Sequence, residues 1–291
     1  MSSYKDVPDF DALPKVKDMP QGCCWGIFDK DGKKDHLGTL NYLTPDVVKE
    51  AVSEVKEGVS VSLNWPIGAI KTPGFGRKGL DHTVLDFMDS PFKIHGFDDE
   101  VSFNTQCSSQ WDSLCHFAHQ PTGLSYNGVK PTAEGLVQDF GTFDHEKALP
   151  TLNHWHESGG LVARGVLLDY VAYAEAKGIK YSPFDNHPIN VDTLEAMAKH
   201  QGTTFKHGDV LIVRCGFTDG LGGAPAEEQE KMLGTHSSAG VEGSEASAKW
   251  VWNHHFSAVA GDAIAFENLP PAKDGVLGAG VINELGKSLS V

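Results

Sequence analysis

Gln106, Gln110, Asp112, His116 and His119 stand together in one short run of the chain, F-N-T-Q-C-S-S-Q-W-D-S-L-C-H-F-A-H from Phe103 to His119. Asp112 precedes His116 by four residues. Such a pair shares one face of a helix or converges across a tight turn. A carboxylate beside an imidazole fixes the ring's tautomer and stabilises its protonated form, which suits general acid–base catalysis. Asp and His are also common metal ligands, so the same pair fits part of a metal site. A third reading is an Asp–His contact that only holds a loop, since spacing alone does not choose among the three. Trp111, Phe117 and Tyr126 add flat apolar surface to the stretch.

Two cysteines flank the pair. Cys107 and Cys115 read as small buried hydrophobes, the usual role of a free cysteine. A nucleophilic Cys115 beside His116 is the alternative; adjacent residues point in different directions, which weakens it. The other cysteines are Cys23, Cys24 and Cys215. An odd count without C-x-x-C spacing predicts free thiols in a reducing compartment, hence a cytoplasmic protein.

The chain has 291 residues, 40% hydrophobic and 22% charged. That composition fits a globular protein with one large core. It contains no apolar run of about 18 residues, and its first ten residues are polar, so neither a membrane span nor a signal core is expected. A net charge of −15 argues against nucleic acid or an anionic membrane as partner. The expected partner is a small-molecule substrate.

Several elements must position the central stretch. Residues 1–21, rich in Asp, Lys and Pro, read as an arm, and 22–291 as one domain. Thr44-Pro45 predicts a helix start, the hydroxyl capping and Pro at the first helical position, with the helix running to about Glu57. Gly58–Trp65 alternates apolar and polar residues and predicts a strand. Residues 66–100 read as a loop-rich cover. N-H-W-H-E at 153–157 reads as loop, a lid contacting substrate more than a ligand pair. Gly165–Asp169, Asp209–Arg214 and Ser257–Asp262 are apolar runs and predict buried strands, the last of them ending in an acid. Helices are expected at Tyr170–Lys177, before Gly178, at 193–201, before Gly202, and at Glu242–His255. Residues 217–242 read as a long excursion. Strands alternating with helices predict an α/β fold.

The central stretch resembles the motif H-x-G-T-H-x-D-x-P-x-H of the cyclase superfamily, which includes bacterial kynurenine formamidases, isatin hydrolases and trans-dienelactone hydrolases. Asp112 and His116 match. Gln106 and Gln110 stand at two His positions, Ser108-Ser109 at the Gly-Thr pair and Leu114 at the Pro. The pattern W-G…D…L-G-T-L-N-x-L-T-P from Trp25, R-G-V-L-L-D-Y and H-G-D-V-L-I-V-R-C-G-F resemble the same superfamily. The likeness runs over roughly residues 22–270. It implies the swivelling β/β/α fold, with a mixed sheet or barrel-like core and flanking helices, and a homo-oligomer. It also makes Trp25 and Asn41 candidate pocket residues beside Gln106, Gln110, Trp111 and Tyr126.

In metal-bearing relatives the motif's three His and its Asp hold one or two divalent ions, helped by a later His and Glu. Here no His follows Asp262, and either Glu267 or Glu284 would match that Glu. A neutral amide lacks the donor strength of imidazole. No tightly held cofactor is expected; a weak Zn or Mn site would draw on Asp112, His116 and Glu267 or Glu284. Three functions follow from the resemblance. The first is lactone- or pyrone-type cyclisation of a polyketide-like substrate by Asp112–His116 acid–base chemistry. The second is metal-dependent hydrolysis of a cyclic ester, amide or formamide. The third is a non-catalytic small-molecule binder on the same scaffold.

Overall fold

The computed structural model describes residues 6–137, 149–270 and 288–290. After a 3-10 helix, Gly38–Tyr42, the elements run α1 Pro45–Val52, β1 Asp81–Asp86, β2 Phe97–Ser102, β3 Gln110–Trp111, α2 Ala133–Leu136 and α3 Asn153–Glu157. Then follow β4 Gly165–Asp169, α4 Tyr170–Lys177, β5 Pro188–Ile189, α5 Val191–Gln201, β6 Val210–Arg214, α6 Phe217–Leu221 and α7 Ala226–Leu233. The last elements are β7 Gly240–Val241, α8 Glu245–Asn253, β8 Ala258–Gly261 and β9 Ser288–Ser290.

The fold is mixed α/β, built on an open five-stranded sheet of order β3-β9-β8-β6-β4. β4, β6, β8 and β9 pair in parallel, and β3 joins β9 antiparallel. Strands β4, β6 and β8 are the three apolar runs; β6 and β8 are largely buried, whereas β4 lies at the sheet edge and buries only one face, Val166 and Leu168, with Leu167 46% exposed. Asp169, at the end of β4, caps α4 by accepting from the Ala172 N–H at 3.0 Å and also pairs with Arg214 of β6 at 2.8 Å. Gly178 closes α4 at φ 67°, a left-handed conformation that glycine adopts without a Cβ clash.

Among the described residues three apolar clusters pack the molecule, the third being Ile70, Phe217, Leu221, Leu233 and Ala263. The first joins Leu168, Leu211 and Val259 of the strands to Leu194 and Met197 of α5 and Trp250 of α8. The second joins Phe10, Leu13, Tyr42, Leu114, Tyr126 and Trp252. This second cluster matters for the site. It ties the N-terminal arm, the 3-10 helix and the central stretch to α8.

Some expectations differ from the structure. Gly58–Trp65 forms no strand; Val59, Val61 and Leu63 are exposed. Its alternation fits a pleat, but no neighbouring strand offers it a ladder. The cover at 66–100 contains the hairpin β1–β2, paired from Asp81↔Ser102 to Asp86↔Phe97. The first helix stops at Val52 rather than near Glu57. N-H-W-H-E is a short helix, α3, whose His154 and Trp155 are buried. The excursion 217–242 holds α6, α7 and β7. β8 is not the last strand, because β9 follows it and lies between β8 and β3.

Candidate active site

The central stretch is a two-residue strand followed by a turn. β3 is fixed in register by Gln110↔Ser290 and Trp111↔Leu289. The chain then turns, with the His116 N–H donating to the Ser113 carbonyl at 3.0 Å. Leu114 is buried in the second apolar cluster and anchors the turn. Asp112 and His116 thus converge across a tight turn and not along a helix. Asp112 is buried, 7% exposed. The His116 side chain is 42% exposed, and its Nδ1 lies 3.6 Å from Asp112 Oδ1. The Gln110 Nε2 donates to the same carboxylate oxygen at 2.9 Å. Because an ionised carboxylate only accepts, this contact orients the Gln110 amide.

Gln106 sits on a 3-10 turn, Thr105–Cys107, whose first residue follows the capping Asn104 side chain. It is 8% exposed. Trp111 meets Trp155 of α3 edge to face, with ring centroids 5.5 Å apart. His119 is buried, and its Nδ1 is bonded to the Thr122 hydroxyl at 2.9 Å, a structural role.

Tyr126 and Asn41 come together, but on a residue that sequence reasoning passed over. Asp35 accepts from the Tyr126 hydroxyl at 3.0 Å and from the Asn41 amide at 2.7 Å. It also accepts from the Gly38 N–H at 2.6 Å, holding the start of the 3-10 helix. Burial, reinforced by the Asp35 charge, pushes the Tyr126 phenol well above its usual range, so it remains a donor. The signal available for Asp35 was its position three residues ahead of Gly38, where an acid satisfies free backbone N–H groups. Trp25 packs on the second apolar cluster and covers Gly128, whose φ of 70° and lack of a Cβ admit the indole.

His36 and His154 stack with ring centroids 4.5 Å apart. Burial and the neighbouring His154 push the His36 imidazole below its usual range. The His154 Nε2 donates to the Leu149 carbonyl at 3.0 Å, so α3 is held to Leu149 and to the His36 ring.

The family resemblance implies a divalent ion, and the side chains can be tested for it. Among the described residues, no group of three or more His, Cys, Asp or Glu is placed to hold one. Asp112 and His116 supply two donors, whereas a catalytic zinc usually has three protein ligands. Glu267 is buried and bridged to Val241 of β7. Glu284 lies outside the described residues. This donor set does not fit a metal centre, and no step below is derived through one.

Burial raises the Cys115 thiol to about 11, which leaves it protonated at neutral pH. A protonated, buried thiol is a poor nucleophile. We expect Cys115→Ser to keep turnover within about threefold of the wild type, since only a thiolate nucleophile would make the sulfur essential. Loss of turnover in a folded Cys115→Ser enzyme, read by steady-state rate beside a thermal melt, would overturn this.

The family model for cyclases matches residues 41–268. No curated protein matches the chain. Among solved structures, a novel cyclase superposes with TM-score 0.71 at 23% identity, covering 91% of this chain and 85% of that one. Isatin hydrolase A from Ralstonia solanacearum superposes with TM-score 0.51 at 12% identity, covering 85% of each chain. An isatin hydrolase bound to the product analogue thioisatinate gives TM-score 0.52 at 9% identity, covering 85% of this chain and 86% of that one. At such identities these likenesses speak for the fold. The family match covers well over half of the sequence and includes the strand, the turn and the Asp112–His116 pair: this chain belongs to the cyclase family.

Proposed function

We propose that this cyclase-type enzyme opens or closes a ring at a carbonyl, with His116 as the proton carrier and Asp112 as its partner. The observation that carries the proposal is the buried Asp112 carboxylate, held by Gln110 and facing a half-exposed imidazole. Asp112 faces Nδ1, which leaves Nε2 to exchange protons with a reactant. In ring opening, Nε2 takes the proton of an attacking water as its oxygen bonds to the carbonyl carbon. The carbonyl π electrons move to oxygen, and the Gln110 N–H not engaged by Asp112 donates to the oxyanion. Collapse re-forms the C=O and breaks the ring C–O or C–N bond, and His116 returns the proton to the leaving atom. Ring closure is the same path reversed, with a substrate hydroxyl as nucleophile and water as the leaving group.

The 3.6 Å separation is longer than a hydrogen bond. Catalytic contacts often tighten only when substrate binds. We favour lactone-type closure of a polyketide-like chain. The two amides at the motif's His positions supply hydrogen-bond donors for carbonyl oxygens, which such a chain carries repeatedly. The solved isatin hydrolases, named for a ring-opening hydrolysis, share the fold and support the other direction.

Incubation with a panel of hydroxy acids, lactones and cyclic amides, read by mass spectrometry, separates the cases. Closure removes one water from the substrate mass and opening adds one. No mass change across the panel at any pH from 6 to 9 would sink the proposal.

A further inference from the structure

We infer that Arg77 and Gln106 form a subsite for a carboxylate carried on a flat, unsaturated ring. This rests on the carbonyl-ring chemistry proposed above and names the group that anchors the ring. The two side chains line one pocket with Phe75 and the apolar residues Ile70, Leu233 and Ile264.

Gln106 is 8% exposed as a residue. Its backbone N–H donates to the Asn104 side chain, but its amide makes no hydrogen bond among the described residues. That amide lines the pocket and keeps two donors and an acceptor for a ligand. Gln106 lies four residues before Gln110, which links this pocket to the Asp112–His116 stretch through one short run of chain.

Arg77 makes the choice of ligand. The chain has three arginines. Arg164 pairs with Asp209 at 2.6 Å and Arg214 with Asp169 at 2.8 Å. Arg77, alone of the three, has no carboxylate within ion-pair distance among the described residues, in a protein with a net charge of −15. Its guanidinium carbon lies 5.1 Å from the Phe75 ring centroid. The Phe75 ring also stacks on His236 at 4.8 Å. Phe75 adopts φ 64°, a conformation uncommon for a residue with a side chain, and these ring contacts help to offset it. A guanidinium steadied on an aromatic face presents its fork of N–H groups for bidentate capture of a carboxylate. The apolar wall then takes the ring, and the Gln106 amide donates to the ring carbonyl or to the carboxylate.

The carboxylate has two possible sources, the substrate itself or the acid released when a ring ester or amide opens. The chemistry of capture is the same, and kinetics tells them apart. The probe for the subsite is benzoate, with benzyl alcohol as the neutral control, each titrated calorimetrically into the full chain. Benzoate should bind one to one, benzyl alcohol at least about tenfold more weakly, and Arg77→Gln should weaken benzoate by about tenfold or more. Arg77→Lys should recover only part of that, because an ammonium lacks the planar fork.

Next, the Arg77→Gln enzyme is assayed on matched ring esters with and without a carboxylate. A KM increase confined to the carboxylate-bearing ester places the group on the substrate. An unchanged KM with lost product inhibition places it on the product. Either result supports the subsite. The inference is overturned if wild-type protein does not bind benzoate, if Arg77→Gln binds it equally well, or if benzyl alcohol binds as tightly. Because binding is read without turnover, absent catalysis sinks the proposed reaction and leaves the subsite standing. Normal catalysis with Arg77-independent binding does the reverse.

Discussion

Replacing His116 with alanine is expected to lower turnover by about 10²–10⁴-fold, the usual range for losing a general acid–base group. The fold should survive the change. The His116 side chain is 42% exposed, so its removal leaves little cavity and affects stability by about 1 kcal/mol or less. Asp112→Asn should cause a loss of similar order for a different reason. It preserves size and still accepts a hydrogen bond from Gln110, but it removes the negative charge beside the imidazole. The measurement is kcat on whichever ring compound the mass assay identifies, with a thermal melt on each variant. If both variants melt normally and retain near-wild-type rates, the Asp112–His116 pair holds a loop and the chemistry lies elsewhere.

The second large effect is on stability. Trp252→Ala should destabilise the protein by about 3–5 kcal/mol, the range seen for emptying a large aromatic site in a core. Trp252 is 2% exposed and sits in the second apolar cluster. Its indole N–H donates to the Pro8 carbonyl at 2.8 Å, and its ring lies 6.4 Å from Phe28. Next to it, Asn253 accepts from the Phe10 N–H at 2.8 Å. Truncation therefore removes apolar area and frees the arm. Urea unfolding should report the energy, and trypsin should cut faster after Lys15 and Lys17. A shift under about 1 kcal/mol with unchanged cleavage would mean that Phe10 and Leu13 hold the arm without the indole.

How much was legible in the sequence depended on how local the cause was. The strands β6 and β8 announced themselves because burial on both faces forces an apolar run, and β4 did so although its Leu167 is exposed. The helix ends at Gly178 and Gly202 did so because a left-handed residue favours glycine. Asp112 and His116 were found by spacing, although the spacing suggested a helix as readily as the turn that forms. Gly58–Trp65 misled because alternation reports a pleat's chemistry and not the presence of a partner strand. Tyr126 was picked out as pocket wall, whereas its hydroxyl is committed to Asp35, 91 positions earlier in the chain. A tie of that length leaves no mark on local pattern. The same is true of Arg77, whose interest lies in lacking an acid beside it, a property that exists only once the chain is folded.

The pairing of β3 with β9 bears on how the protein is made. Gln110 lies opposite Ser290, and among the described residues β9 joins β3 to the rest of the sheet. Closing so long a loop is entropically slow and is rewarded only when both ends are present. During synthesis β4, β6 and β8 emerge in order and can assemble while β3 waits, its ladder groups open to water and to other chains. β3, which leads into Asp112 and His116, gains its register only once residues 288–290 have been made. Nascent chains therefore form the β4–β6–β8 core before the turn of Asp112 and His116 is fixed in register.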